Sequence, residues 1–358
     1  MADRVLIIAE AGVNHNGSIE RALQLVDRAA EAGADVVKFQ TFKAENLATA
    51  RASKAEYQIA NTGESGSQLA MLRSLELSAD AHLRLVEHCR AKRIAFMSTA
   101  FDAESLALLS TLDMPAIKIP SGDITCADLL LRAARLGRRL IVSTGMATLG
   151  DIEQALGVIA FGLLSGGIPT GRADFEAAYL SEAGRRALRA KVTLLHCVTE
   201  YPAPPGAVNL RAMDTMATAF GLPVGYSDHT LGIEVPLAAV ARGATVIEKH
   251  FTLDRSLPGP DHMASLEPAE LAQLVSGVRN IELALGSALK APAPAELPNR
   301  TIARRSLVAA RPIRRGERFT ADMIAAKRPG DGLSPMEAWN LIGRPAIRDF
   351  EIDEQLEQ

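Results

Sequence analysis

The chain has 358 residues, of which 48% are hydrophobic, and a formal net charge of −3. That length supports a large core and more than one domain. The weakly acidic balance excludes a general nucleic-acid binder, which needs a basic surface for phosphates.

Asp3 and Arg4 precede the first apolar run and Glu10 interrupts it. The start therefore reads as neither a signal peptide nor a membrane span, and no membrane partner is expected. Cys89, Cys126 and Cys197 show no CxxC spacing. They suggest no disulfide framework or zinc cluster, and a reducing cytoplasm is the plain expectation.

Runs rich in Val and Ile recur at residues 5–12, 35–41, 94–101, 116–122, 140–146, 192–198, 223–230 and 245–252. Unbroken runs of this kind suit strands buried on both faces. Helical patterns such as 19–34, 81–92 and 235–244 lie between them, with Gly33 and Gly243 where C-terminal caps fall. Eight strand–helix units in about 285 residues predict the α/β class and a (β/α)8 TIM barrel. A doubly wound open sheet is the runner-up, but it normally shows fewer units. Two excursions break the rhythm: a long polar connection at 42–78 and a lengthened one at 162–190. Long connections in compact domains are usually functional or mobile.

The alternating Pro and Ala of KAPAPAELPNR read as a stiff extended linker. Beyond it come short β-like runs, Gly and Pro turns and an excess of arginine, which predict a small β-rich domain packed on something larger. The expected division is a barrel at 1–288, a linker at 289–301 and the small domain at 302–358.

In a barrel the chemistry gathers where strands end at the C-terminal face. The polar residues there are Glu10, Lys38, Gln40, Ser98, Thr99, Lys118, Ser121, Ser143, Thr144, His196, Ser227, Asp228, His229, Glu248 and His250. Residues two apart in a strand share a face, which pairs Lys38 with Gln40, Ser227 with His229 and Glu248 with His250. A lone Ser or Thr in such a place is more often a cap or turn. Lysine is almost never fully buried unpaired. Lys38 and Lys118, inside VVKFQ and AIKIP, together with the hydroxyls describe a site for phosphate, carboxylate or both. His229 and His250 come from the last two strands, and two neutral imidazoles with oxygen ligands suit Mn, Fe, Co or Zn, with open positions for substrate and water. Without a third obvious ligand, a pair of orienting histidines is the competing reading. Asp261 lies on the PGPD turn after strand eight, and Tyr201 in a proline-braced loop after strand six.

In order along the chain, IIAEAGVNHNG, ADVVKFQTF, KAEYQIANTGE, MSTAFD, IKIPSGD, IVSTGM, LLHCVTEYPAP, GYSDHTLG, EKHFTLD, GPDHMASLEP and KRPGDG are found. Together they resemble the sialic acid synthase family over almost the whole chain. The resemblance implies a transferase that joins phosphoenolpyruvate to an N-acetylated hexosamine, with a (β/α)8 barrel followed by a small SAF, or antifreeze-like, domain. By that resemblance Lys38, Thr99, Lys118, Ser121, Ser143 and Ser227 would hold phosphoenolpyruvate. His229 and His250 would bind a divalent metal, manganese first, with magnesium or cobalt as alternatives. Glu10 would be the essential acidic group, and Gln40, Asp123, Tyr201 and Asp261 would contact the amino sugar. Arg328 would reach the acetamido group in the partner subunit's site, which implies a domain-swapped homodimer. Two positions depart from the pattern. Asp123 stands where many members have Glu, and Thr199 where some have Asn, so both contacts are open.

The first expectation is a synthase of N-acetylneuraminate from N-acetylmannosamine. The alternative is a synthase of N,N'-diacetyllegionaminate, which uses a 6-deoxy diacetamido sugar. A third reading, a non-catalytic sugar-binding or assembly protein, sits poorly with the intact set of strand-end residues.

Overall fold

The structure is a computed structural model and describes residues 4–62 and 66–358. It divides into two compact units, Met1–Gly286 and Ser287–Gln358.

In the first unit eight parallel strands close into a barrel in chain order. They are β1 (Leu6–Gly12), β2 (Val36–Thr41), β3 (Ala95–Ala100), β4 (Ile117–Ile119), β5 (Leu140–Ser143), β6 (Val192–His196), β7 (Val224–Asp228) and β8 (Val246–His250). β1 pairs with both β2 and β8, which closes the ring. Each strand falls inside its predicted run. β4 is the shortest, because the chain turns into a 3-10 segment at Ser121–Asp123.

Helices follow the strands. The first, α1 (Ile19–Glu31), is capped by Ser18, whose side chain accepts from the Arg21 N–H. Gly33 and Gly243 both adopt positive φ, as the helix-end reading requires. The connection at 42–78 is more than a polar loop. Its described residues form α2 (Ala44–Leu47), α3 (Glu56–Thr62) and α4 (Gln68–Leu75) before α5 (Ala79–Lys92). After β3 and β4 come α6 (Ala103–Ser110) and α7 (Ala127–Arg135). After β5 comes α8 (Leu149–Leu164), and the second excursion forms α9 (Arg172–Leu180) and α10 (Glu182–Lys191). The barrel is completed by α11 (Ala212–Phe220), α12 (Glu234–Ala241) and α13 (Pro268–Leu285).

Two periodicities of the strands build the interior. Residues alternate between the helix-facing core and the barrel axis. Across the axis, Ile8, Val36, Met97, Ala116, Ile141, Leu195 and Val246 form an apolar plug separate from the main core. Gly225 supplies no side chain to this layer, since a β-carbon there would stand 2.5 Å from the Val246 carbonyl oxygen. Two residues further along each strand the axis-facing position turns polar: Glu10, Lys38, Thr99, Lys118, Ser143, Cys197, Ser227 and Glu248. The plug is the floor on which these residues stand.

The second unit has its own small core, including Leu307, Ile313, Phe319, Leu341 and Phe350. Its strands β9 (Ser306–Ala309) and β10 (Ile324–Lys327) are short and antiparallel, with isolated bridges around them. The expected extended linker differs in part. Pro294–Glu296 forms a 3-10 turn, and α14 spans Leu297–Ala303. Proline is compatible with a first helical turn, where no N–H partner is missed. A last short helix, α15, spans Ala338–Leu341. Among the described residues no helix is long and apolar enough to cross a membrane.

Candidate active site

A cavity of about 450 Å³ opens over the polar layer. The thirteen barrel residues to which the family resemblance gives a role all line it: Glu10, Lys38, Gln40, Thr99, Lys118, Ser121, Asp123, Ser143, Tyr201, Ser227, His229, Asp261 and His250. Of the other strand-end residues Glu248 lines it too, whereas Ser98, Thr144, His196 and Asp228 do not. Arg328 does not; it is exposed in the second unit, where its Nε donates to the Ala303 carbonyl oxygen at 2.9 Å.

The floor is a buried network of charges. Lys38 Nζ lies 2.6 Å from Glu10 Oε2 and 3.4 Å from Glu248 Oε2, and donates to Thr99 Oγ1 at 3.0 Å. Lys118 Nζ donates to Ser143 Oγ at 2.7 Å and lies 3.5 Å from Glu248 Oε1. Ser227 Oγ donates to the same Glu248 oxygen at 2.8 Å. Glu248 thus joins both lysines to strand β7, a role its strand-end position alone did not reveal. Ser121 Oγ accepts from the Gly145 N–H at 3.0 Å and lies 3.1 Å from Cys197 Sγ, a cavity-lining thiol that sequence reasoning passed over.

These environments drive the two carboxyl groups apart. Burial raises Glu10, against the pull of Lys38, to about 7. Burial also acts to raise Glu248, but Lys118 and Lys38 outweigh it and hold the group down at about 2. Burial works against the ammonium of Lys38, yet Glu10 and Glu248 keep its pKa above the usual value. Lys118 is lowered by burial, which Glu248 only partly opposes. A carboxyl titrating near neutrality beside a permanently ionised one is the division of labour of an acid–base site.

The histidines stand one layer higher, two residues beyond Ser227 and Glu248. Their ring centroids are 5.5 Å apart. His229 Nδ1 lies 2.6 Å from the Val198 carbonyl oxygen, which assigns the proton to Nδ1 and leaves Nε2 with a free lone pair. His250 Nδ1 is buried without a hydrogen-bond partner and lies 4.0 Å from Asp261 Oδ2. Burial lowers His229 to about 4, and burial and then His229 lower His250 well below its usual value, so both rings are neutral. Two neutral imidazoles with unengaged nitrogens suit a metal. No group of three or more His, Cys, Asp or Glu among the described residues forms a metal cluster. Gly12, at φ +52°, leaves room for the His250 ring and the Glu10 carboxylate, since a β-carbon there would meet His250 Cε1 at 3.3 Å and Glu10 Oε1 at 3.4 Å.

The rim completes the site. Tyr201 stacks on His229 at 4.1 Å and on Tyr57 of α3 at 5.0 Å. Gln40 Nε2 donates to Glu10 Oε1 at 3.4 Å. Asp123 and Asp261 are each raised to about 6 by burial. Asp123 Oδ2 and Thr199 Oγ1, the two departures from the family pattern, are both buried without a partner. Buried polar atoms of this kind require an explanation, and a ligand polar group would satisfy them.

A larger hollow of about 630 Å³ lies between α7, α8 and α9, lined by residues such as Leu130, Val158 and Phe175. None of the buried charges described above lines it.

A closed parallel barrel with a charged cavity at the C-terminal ends of its strands is the architecture of barrel enzymes. The NeuB family model matches residues 25–290, and the SAF domain model matches 304–358. The chain belongs to the NeuB family and carries a SAF domain at its C-terminal end. It is 47% identical over 355 residues to the N,N'-diacetyllegionaminic acid synthase of Campylobacter jejuni, covering 99% of each chain. It is 46% identical over 337 residues to the enzyme of that name from Legionella pneumophila, covering 94% of this chain and 89% of the relative. Among solved structures, the N-acetylneuraminic acid synthetase of Leptospira borgpetersenii, in complex with citrate, is 34% identical with a TM-score of 0.66. That match covers 83% of this chain and 90% of the other.

Proposed function

We propose that the protein condenses phosphoenolpyruvate with a 6-deoxy diacetamido sugar to give N,N'-diacetyllegionaminate and phosphate. The observation that carries the reading is the charged floor: two buried lysines, each bonded to a strand-end hydroxyl, lie beside two neutral histidines in one cavity. The choice of sugar rests on the 46–47% identity to two legionaminic acid synthases, against 34% to the N-acetylneuraminic acid synthetase. This reverses the order of preference given by sequence motifs alone, where N-acetylmannosamine stood first.

In this reading Lys38 and Lys118 hold the phosphate and carboxylate of phosphoenolpyruvate, with Thr99, Ser121, Ser143 and Ser227 as donors. His229 and His250 would hold a divalent metal, manganese by family resemblance, which would supply Lewis-acid polarisation of the sugar aldehyde. Gln40, Asp123, Tyr201 and Asp261 orient the open-chain sugar. C3 of phosphoenolpyruvate attacks the aldehyde carbon, and the new alkoxide takes up a proton. Water adds at the cationic C2 and loses a proton to the Glu10 carboxylate, which is poised near neutrality for a general-base role. The bond from C2 to the bridging phosphate oxygen then breaks, the C2 hydroxyl gives up its proton to the departing phosphate, and C2 becomes the ketone carbonyl.

The test is phosphate release from phosphoenolpyruvate with each sugar, and the mass of the product. The expected result is a higher kcat/KM with the 6-deoxy diacetamido sugar than with N-acetylmannosamine. Preference for N-acetylmannosamine would overturn the choice of sugar, and no sugar-dependent release would overturn the synthase reading.

A further inference from the structure

We propose that an apolar wall over the barrel mouth selects an amino sugar whose sixth carbon is a methyl group, bearing neither hydroxyl nor phosphate. The inference rests on the synthase reading above and deepens it by assigning the residues that choose the sugar.

The cavity has two unlike sides. Its floor and one rim carry the lysines, carboxylates and histidines already described. The other side is formed by Val13, Leu47, Met71, Leu72, Leu75 and Phe101. These residues make a cluster with Phe42 that is separate from the main barrel core. Val13 and Leu75 are buried within it, whereas Leu47, Met71, Leu72 and Phe101 are only half-buried and line the cavity. The other cavity-lining side chains among the described residues of 42–78 are Tyr57, Gln58 and Gln68, none of them charged.

The wall is fixed in position over the floor. Tyr57 stacks on Tyr201 of the loop after β6. Asn61 Nδ2 donates to the Pro260 carbonyl oxygen of the loop after β8 at 2.7 Å. The excursion at 42–78 therefore crosses the mouth and is tied down on its far side.

The aldehyde end of the sugar must lie at the charged floor, because the new carbon–carbon bond forms there. Its distal carbons then extend away from the floor, toward the wall. A methyl group gains apolar contact in that place. A hydroxyl gives up water and finds no partner on Leu47, Met71, Leu72 or Phe101. Among the described cavity-lining residues of 42–78, a phosphate would face no cation. An apolar surface rejects one added hydroxyl by only about 10- to 100-fold, and that sets the size of the expected effect.

The experiment compares N-acetylmannosamine with its 6-deoxy counterpart, which differ only at carbon six, under saturating phosphoenolpyruvate. The wild-type protein is expected to favour the 6-deoxy sugar by about 10- to 100-fold in kcat/KM. Leu47→Asn in α2 and Leu72→Gln in α4 are expected to bring the ratio toward one, with the KM for phosphoenolpyruvate and the Tm retained. The conservative Met71→Leu is expected to keep the preference. Using two helices allows for one variant failing to fold. A wild-type ratio of one or less, or a ratio unchanged in the folded variants, overturns the proposal. If the diacetamido sugar is not turned over but the preference at carbon six holds, the legionaminate reading falls and the wall stands. If the diacetamido sugar is turned over but the ratio is flat, the wall falls and that reading stands.

Discussion

Removing the buried cation behind the histidines should destabilise the barrel more than any surface change. Lys249 alternates with Glu248 and His250, so it points away from the axis. Its Nζ donates to Asp228 Oδ2 at 2.6 Å and also to the Thr230 carbonyl oxygen. Asp228 Oδ1 accepts from Tyr226 OH at 3.0 Å and from Thr230 Oγ1 at 2.9 Å. Lys249 and Asp228 are both buried, with side chains 1% and 0% exposed. In Lys249→Met the alkyl stem keeps its packing, but the carboxylate loses its countercharge. Breaking one side of a buried pair costs about 3–5 kcal/mol. The double variant Asp228→Asn/Lys249→Met should cost less than the sum of the two single changes, because the partners couple. Urea unfolding followed by far-UV circular dichroism measures this. The only tryptophan, Trp339, lies in the second unit and would report on that unit instead. A loss below about 1 kcal/mol for Lys249→Met, the range of a surface pair, would refute the reasoning.

The proposed metal site predicts that His229→Ala and His250→Ala each weaken manganese binding by more than about 100-fold, since losing even an outer partner costs up to that much. Full metal content by elemental analysis in both variants would remove the assignment. His15 is buried, with Nε2 unpartnered, and burial followed by His82 and Arg21 lowers it from 6.5 to about 4. The unfolded chain therefore takes up the proton first. Stability from this group is intact above pH 6.5 and is lost as pH falls toward 4, by about 3 kcal/mol. His15→Gln should lack that part of the pH dependence in denaturant titrations at pH 7 and 4.5; an unchanged dependence contradicts the assignment. If Arg328 acts in a partner's site, as proposed from family resemblance, mixing Arg328→Ala with Glu10→Gln should restore part of the activity through heterodimers. No restoration despite demonstrated subunit exchange would count against it.

The strands were legible because both of their faces are buried, so apolar runs such as DVVKFQT stand out against the amphipathic helices. The polar layer was legible for the same reason. Lys38 in VVKFQ and Lys118 in AIKIP interrupt runs that would otherwise be core, and both prove to be axis-facing and buried. Less of the rim could be read. Leu47, Met71 and Leu72 lie in short helices within a stretch whose composition is that of a polar connection. Their apolar faces make sense only once α2 and α4 meet Val13 and Phe101. Glu248 was visible as a strand-end carboxylate, but its bond to Ser227 depends on the register of β7 against β8, which no single strand encodes. The linker misled because proline was taken as extended, whereas Pro298 sits in the first turn of α14.

The two-residue step from the apolar plug to the polar layer makes core and chemistry share one reading frame. Deleting a single residue in the middle of β2 or β8 would turn Lys38 or Glu248 toward the helices and swing a helix-facing side chain, Phe39 or Lys249, into the mouth. Such a strand cannot lose its activity while leaving the barrel intact, because a slip that misplaces the charge also misplaces the packing. Substitutions within the polar layer leave the packing in register, and their cost is confined to the buried ion pairs they break. The protein's chemistry is therefore open to change by replacing residues in these strands and closed to change by shortening or lengthening them, while the excursion at 42–78 can vary in both ways.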